Sequence, residues 1–473
     1  MATPRLPRLA REASAPPEPL FAQIESLDQE GRGVARIDGK VAFIEGALPG
    51  ERVLWQRNRA KARFDTGRVV AVLRSSTLRA EPRCPHFGLE QGSCGGCSMQ
   101  HLDARAQVSV KQRMLEESLW RIGHVRPAMV LRPICGLSWN YRHRARLTVR
   151  YIEKKGGALV GFHERASSYV ADMRTCPVLA ASVARLILPL RALVSSLAIR
   201  DRLPQIEVAV AQETTVLVLR ILAPLGEGDA PVLLDFARQH GVSFWLQTSG
   251  PDSAEPLIAG EANTLALPLP EFGLRLPFRP TDFTQVNHRT NEVLVRRALA
   301  LLAPEAGDVV ADFFCGMGNF TLPLATCARS VIGLEGSAPL LLRAQSAADD
   351  AGLGAKTRFI TRNLFDWTPE DGAALREAAG GRIDRVLIDP PRDGALALVQ
   401  ALAQDPHPPR RIVYVSCNPA TLARDCGAMV EGGRWALRAA GVVNMFPHTS
   451  HVESIAVLEP CEPGESAAGQ TQD

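Results

Sequence analysis

The sequence predicts an α/β protein in which a parallel sheet with helices on both faces follows a small β-barrel and a mixed α+β middle region. Three observations carry this expectation. From about Asn287, runs of buried-strand character (Val309 to Phe314, Val331 to Leu334, Val386 to Ile388, Ile412 to Val415) alternate with alanine- and leucine-rich helical stretches. From Phe21 to about Leu78, short apolar runs separated by glycine turns read as an all-β barrel. Between the two, Arg79 to Val286 shows neither pattern consistently and carries a cluster of cysteines. The expected organisation is a tail over 1–20, a barrel over 21–78, a central region over 79–286, an α/β domain over 287–460 and a tail over 461–473, both tails disordered.

Composition narrows the class. The chain has 473 residues, 46% of them hydrophobic and 22% charged, enough to bury several cores. No uninterrupted apolar run of about 18 residues occurs and prolines interrupt the first twenty, so neither a membrane span nor a secretory leader is expected. Arg5, Arg8 and Arg11 stand in an almost acid-free opening, but Pro4 and Pro7 break the amphipathic helix that an organelle-targeting segment would form. Ten cysteines are too thinly spread for a disulfide scaffold, and a reducing cytoplasm is the expected location. The net charge of +4 says little about partners, so local runs matter more.

In the barrel the strand runs are Ile24 to Leu27, Gly31 to Ile37, Lys40 to Ile44, Arg52 to Trp55 and Arg68 to Leu73. Arg57, Arg59, Lys61 and Arg63 form a basic run opposed locally only by Asp65, which suits either a solvated hairpin or contact with nucleic acid. The middle region opens with Cys84, Cys94 and Cys97 in a C-x9-C-x2-C spacing, with Cys176 as a fourth candidate ligand. Four thiolates suit a [4Fe-4S] cluster or structural zinc, and spacing does not decide between them. The C-x3-C-x2-C spacing of radical enzymes is absent. Further on, Tyr141 to Tyr151 reads as a strand with Arg142, Arg144, Arg146 and Arg150 on one face, fit for phosphate contact with Tyr141 for base stacking, or for plain solvation.

The first strand of the α/β domain runs into Cys315-Gly316-Met317-Gly318-Asn319 and then a helix near Phe320, a turn where glycines let a ligand approach the backbone. The second strand ends at Glu335, 19 residues after Gly316, where α/β nucleotide sites place a carboxylate for ribose hydroxyls. With no third glycine and no Walker lysine, a nucleoside cofactor without pyrophosphate is favoured, and S-adenosylmethionine fits; a tight turn and an exposed glutamate are the plain alternative. The fourth strand ends in Asp389-Pro390-Pro391-Arg392, again at the carboxyl edge where such sheets bind ligands; a proline-stiffened exit turn reads equally well. Amino-group methyltransferases carry an aromatic residue after a similar motif, and here that position is Arg392. The fifth strand delivers Ser416-Cys417-Asn418-Pro419 to the same edge, making Cys417 a nucleophile or, more plainly, a small buried hydrophobe.

At these residues the sequence resembles the uracil-C5 RNA methyltransferases, and within them the bacterial 23S ribosomal RNA branch that carries an iron-sulfur cluster. The matching segments are Phe283 to Asn287, Asp312 to Phe320, Ile388 to Arg392, Ser416 to Pro419 and Phe446 to Thr449, which span the C-terminal third. The resemblance implies a Rossmann-like class I methyltransferase domain whose S-adenosylmethionine site is lined by Gln285, Phe314, Asn319, Glu335, Asn363 and Asp389. It also implies Cys417 as nucleophile and Glu453 as proton acceptor, a TRAM barrel at the N-terminus, and a [4Fe-4S] cluster on Cys84, Cys94, Cys97 and Cys176 rather than zinc. Four residues within Leu89 to Ser93 are extra relative to the commoner family spacing.

The chemistry suits the residues. C5 of uracil is a poor nucleophile until a thiolate adds at C6, and the adduct must then lose a proton to a base before the sulfur leaves. The expected partner is 23S ribosomal RNA, with a flipped-out uridine, no membrane and a monomeric enzyme. Three rival readings exist: the transfer-RNA branch, which lacks the barrel and the cysteine cluster; a non-catalytic RNA-binding iron-sulfur protein; and a cytosine-C5 enzyme, for which the second cysteine, Cys426, lies on a helix without the required motif.

Overall fold

The computed structural model describes residues 18–212, 214–260 and 265–461. Arg5, Arg8, Arg11 and nearly all of both expected tails lie outside the described residues. Those described fall into two compact units, divided between Arg79 and Ala80.

The first unit is a six-stranded sheet of β1 (Leu20–Gln23), β2 (Ser26–Leu27), β3 (Gly33–Ile37), β4 (Lys40–Glu45), β5 (Arg52–Ala60) and β6 (Phe64–Arg74), in the order β1-β5-β6-β4-β3-β2. Its two edge strands are consecutive in the chain, so the sheet curls on itself around a core of Ile24, Ile44, Val53 and Trp55. Gly67 lets β6 pass under Trp55: a Cβ there would sit 2.5 Å from the indole ring. β1 starts one residue inside the expected tail, and β5 and β6 run longer than expected because they carry the basic hairpin. Arg57 and Lys40 share Asp65, while the whole stretch from Arg57 to Arg63 is exposed.

The second unit begins with α1 (Ala104–Arg121) and the short β7 (Met129–Val130). A second six-stranded sheet follows, made of β8 (Arg144–Ile152), β9 (Gly157–Gly161), β10 (Gln205–Ala211), β11 (Thr214–Arg220), β12 (Ser243–Gln247) and β13 (Ala254–Pro256), in the order β13-β12-β11-β10-β8-β9. It packs with α2 (Ala181–Ala184), α3 (Ile187–Ser196) and α4 (Asp229–His240) around an aliphatic core. The hairpin β14 (Leu265–Leu269) and β15 (Leu274–Phe278) leads to the α/β part.

That part comprises α5 (His288–Leu302), β16 (Val309–Phe313), α6 (Thr321–Cys327), β17 (Ser330–Glu335), α7 (Ala338–Asp350), β18 (Thr357–Thr361), α8 (Pro369–Ala378), β19 (Arg385–Ile388), α9 (Leu396–Gln404), β20 (Arg411–Ser416), α10 (Pro419–Val430), β21 (Trp435–Val443) and β22 (Glu453–Pro460). The sheet order is β18-β17-β16-β19-β20-β22-β21-β7. β16 to β20 are parallel, and β22 inserts antiparallel between β20 and β21. The chain reverses direction across the sheet between β16 and β19, which opens a crevice at the carboxyl ends of the strands. No helix among the described residues is long and apolar enough to cross a membrane.

α1 reaches this sheet through glycine. Gly123, just past its end, lies so close to α10 that a Cβ would approach the Ala423 carbonyl oxygen to 2.2 Å. Gly123→Ala should therefore destabilise the protein by about 1–3 kcal/mol in urea unfolding, as overpacking does, whereas Gly432→Ala, which faces open space, should change stability by less than about 0.5 kcal/mol.

Candidate active site

At the carboxyl edge of the large sheet lies a cavity of about 520 Å³, within the size range of small-molecule sites. Gln285, Phe314, Asn319, Glu335, Asn363, Asp389, Cys417 and Glu453 all line it. Thr284, Phe365, Arg392, Phe446 and His451 line it too; no role is read for them from sequence, although four of the five stand in or beside the matched segments.

β16 ends at Phe313, and Phe314 takes the left-handed φ of +64°, a strained conformation for a residue with a side chain. Gly316 and Gly318 continue the turn at positive φ without that cost. Glu335 accepts hydrogen bonds from the Gly316 amide at 3.2 Å and the Ser337 amide at 3.0 Å, so its carboxylate is fixed at the mouth of the turn. Asn319 is held by a reciprocal pair of amide bonds with the buried Asn291 on α5, a partner the motif did not announce. Beneath the turn Asp312 is fully buried, bonded to Thr321 Oγ1 at 2.5 Å, and burial pushes its carboxyl up to about 8. Glu335, Asp389 and Glu453 supply carboxyl oxygens to the lining.

Cys417 and Glu453 come together through strand register. Ser416 pairs with Ser454 at the antiparallel junction of β20 and β22, so the next residues, Cys417 and Glu453, face each other at the cavity. Asn418 caps α10, with Pro419 in its first turn, and its side chain donates to the Arg392 carbonyl at 3.1 Å, tying the Cys417 turn to the Asp389-Pro390-Pro391-Arg392 exit. Burial, reinforced by the Glu453 and Asp389 carboxylates and opposed by Arg392, raises the Cys417 thiol to about 11. Glu453 is 3% exposed; burial raises it to about 7 against the pull of Lys111 and Arg392. Asp389 is raised well above the carboxylate range by burial and by Glu453.

A second cavity is lined by Cys84, Cys94, Cys97 and Cys176, with Gln100, Arg142 and Phe162 beside them. Its free volume is small, about 20 Å³, so the four thiols stand close around little more than the space of one water. Burial raises Cys97 to about 11 and Cys176 to about 12, so thiolates there call for a positive partner. No group of three or more His, Cys, Asp or Glu among the described residues is arranged to hold a single ion, yet the four cysteines share this one cavity.

The expected basic strand needs correction. β8 begins at Arg144, and Tyr141 is 2% exposed with its hydroxyl donating to the Pro447 carbonyl at 2.9 Å, so it cannot stack on a base. Arg142 lines the cysteine cavity, and Arg144 is largely buried beside Glu207. Only Arg146 and Arg150 present an exposed basic face. Alternation gave the correct face of the strand but not its start.

Comparison with known proteins follows from this geometry. The chain is 57% identical over 451 residues to the 23S rRNA (uracil(1939)-C(5))-methyltransferase RlmD of Bordetella parapertussis, covering 95% of each chain. The chain belongs to this family of uracil-C5 methyltransferases. The enzyme of the same name from Cupriavidus necator is 56% identical, with 92% of this chain and 99% of that one covered. The profile for tRNA (Uracil-5-)-methyltransferase matches residues 372–460, and the TRAM domain profile matches residues 21–54. Among solved structures, the Pyrococcus abyssi tRNA (uracil-54, C5)-methyltransferase, in complex with S-adenosyl-L-homocysteine, superposes with a TM-score of 0.69 over 93% of this chain and 99% of that one. At 22% identity that likeness shows the shared fold.

The raised Cys417 thiol predicts slow chemistry without substrate. Alkylation of Cys417, followed by peptide mass spectrometry, should be slow at pH 7 and rise about tenfold per pH unit between pH 8 and 10, since only the thiolate reacts. A rate already at its plateau by pH 8 would contradict the environment described.

Proposed function

We propose that this chain uses S-adenosylmethionine to methylate C5 of a uridine in 23S ribosomal RNA, with Cys417 as nucleophile and Glu453 as base. The observation that carries the reading is the facing Cys417–Glu453 pair in the lined cavity of a chain whose full-length relatives are named for this reaction. Relatives named for 23S rRNA share 54–57% identity, against 22% for the transfer-RNA enzyme.

Gln285, Phe314, Asn319, Glu335, Asn363 and Asp389 would hold the cofactor, and their partly aromatic lining fits a sulfonium nucleoside. Bound there, S-adenosylmethionine supplies an electrophilic methyl group. The Cys417 thiol first loses its proton to water at the mouth of the cavity; Sγ then adds as the thiolate to C6 of the flipped-out uracil and makes C5 electron-rich, which leaves Glu453 free for the later step. Arg392, close enough to lower the Cys417 thiol, favours the thiolate as the ring closes over it. Glu453, raised to about 7, is then matched to taking the C5 proton near neutral pH, after which the C6–S bond breaks and the sulfur leaves. Buried carboxylates of this kind act as bases because an apolar wall destabilises their charged form.

We assign the regions accordingly: a TRAM-like RNA-binding barrel over 21–78, a central iron-sulfur and RNA-binding region over 79–286, and the catalytic domain over 287–460. The exposed Arg57–Arg63 hairpin and the Arg146/Arg150 face supply phosphate contacts. Cys84, Cys94, Cys97 and Cys176 would hold a [4Fe-4S] cluster; the support is a donor set of four thiols lining one cavity, with the family resemblance favouring the cluster over zinc. The enzyme would act as a monomer, and ten thinly spread cysteines suit the cytoplasm, where ribosomal RNA is made.

Incubated with labelled S-adenosylmethionine and unmodified ribosomal or transfer RNA, the enzyme should yield 5-methyluridine in the ribosomal RNA. Cys417→Ala should lower product by more than a thousandfold, and Glu453→Gln should accumulate a covalent RNA–protein adduct, because proton removal precedes sulfur release. Methylated cytidine, or product only in transfer RNA, would overturn the assignment. Purified without oxygen, the protein should be brown and carry about four irons; a colourless, zinc-loaded protein would reject the cluster.

A further inference from the structure

Between the two cavities runs a single hydrogen-bonded wall. The turn after Cys97 donates twice to one residue of the loop entering β22: the Ser98 and Met99 amides both reach the His448 carbonyl at 3.0 Å. Ser98 Oγ accepts from the Ser450 amide at 2.9 Å. From α1 the fully buried Gln107 completes the junction. Its Oε1 accepts from the His448 amide at 2.8 Å, and its Nε2 donates to the Met99 and Leu102 carbonyls at 3.0 and 2.8 Å. His448 is held at φ +65°, a conformation that surrounding contacts must impose on a residue with a side chain.

On the far side of this wall, Gln100 lines the cysteine cavity and accepts from the Cys84 amide at 3.1 Å, so the segment 97–100 has thiols on one flank and the His448 loop on the other. On the near side the same loop carries Phe446 and His451 into the methyl-transfer cavity and ends at Glu453. One turn along α1 from Gln107, the buried Lys111 donates to Asn444 Oδ1 and the Phe446 carbonyl, both at 2.8 Å.

We infer that Ser98 and Gln107 are positioning residues, which tie the conformation of the cysteine site to the placement of Glu453 and thereby make release of the methylated RNA depend on an intact cysteine site. The inference rests on the function proposed above. Coupling of this kind is reciprocal: whatever steadies the His448 loop must also steady the 97–100 turn.

Ser98→Ala removes one hydrogen bond at a half-buried position, so the fold should tolerate it. In the holoenzyme it should leave the affinity for S-adenosyl-L-homocysteine within about twofold and lower kcat roughly tenfold, as small misplacements of reacting groups do. The covalent Cys417–RNA adduct should accumulate as in Glu453→Gln. A second measurement does not depend on turnover: RNA with S-adenosyl-L-homocysteine should slow chelator-driven bleaching of the natural enzyme's brown colour several-fold, and the slowing should vanish in Ser98→Ala and Gln107→Ala. Unchanged kcat with unchanged slowing in Ser98→Ala overturns the inference while leaving the function standing. So does a loss of kcat that follows a lowered Tm without any adduct, since that is instability alone. A natural enzyme that methylates no uridine overturns both.

Discussion

The antiparallel pairing of β20 with β22 is the contact on which the site depends. A sheet of parallel strands alone delivers every strand end to one edge, but it leaves a nucleophile and a base to come from neighbouring loops. Inserting β22 in the opposite direction brings a strand start beside a strand end, so backbone hydrogen bonds between Ser416 and Ser454 set the approach of Cys417 and Glu453. Because the register is defined by a buried ladder, the pair is placed by the most rigid part of the molecule.

Electrostatics follow from that placement. A thiol and two carboxyl groups share one poorly solvated cavity; burial favours the neutral form of each, and the Glu453 carboxylate adds to the rise of both Cys417 and Asp389. Arg392 and Lys111 moderate the effect from opposite sides, one lining the cavity and one buried behind its wall. Burial therefore biases these groups toward their protonated forms.

Much of this was legible in the sequence, for identifiable reasons. Strands β16, β17, β19 and β20 appear as short apolar runs because both faces of a parallel sheet are buried, and their ends carry the glycines, prolines and cysteine that mark a ligand edge. The insertion of β22 between β20 and β21 was not legible, since local patterning is blind to strand order; Glu453 drew notice through the matched segments nearby. Lys111 and Gln107 escaped notice because a polar residue in an amphipathic helix is read as solvent-facing, and only tertiary packing turned theirs inward. Tyr141 was misread for the converse reason: an aromatic beside arginines looks like a base-stacking surface, but its hydroxyl found a carbonyl indoors.

The fourth wall of the cysteine cavity comes late. Cys84, Cys94 and Cys97 lie together, whereas Cys176 arrives only after β8 and β9 have been added to the chain. On a translating ribosome at bacterial rates this interval lasts on the order of ten seconds. Through that time three thiols are out of the tunnel or leaving it with no closed pocket to shelter them. Delivery of the proposed cluster would have to wait for the nascent hairpin, and these thiols stand open to oxidants before any of the methylating machinery has been made.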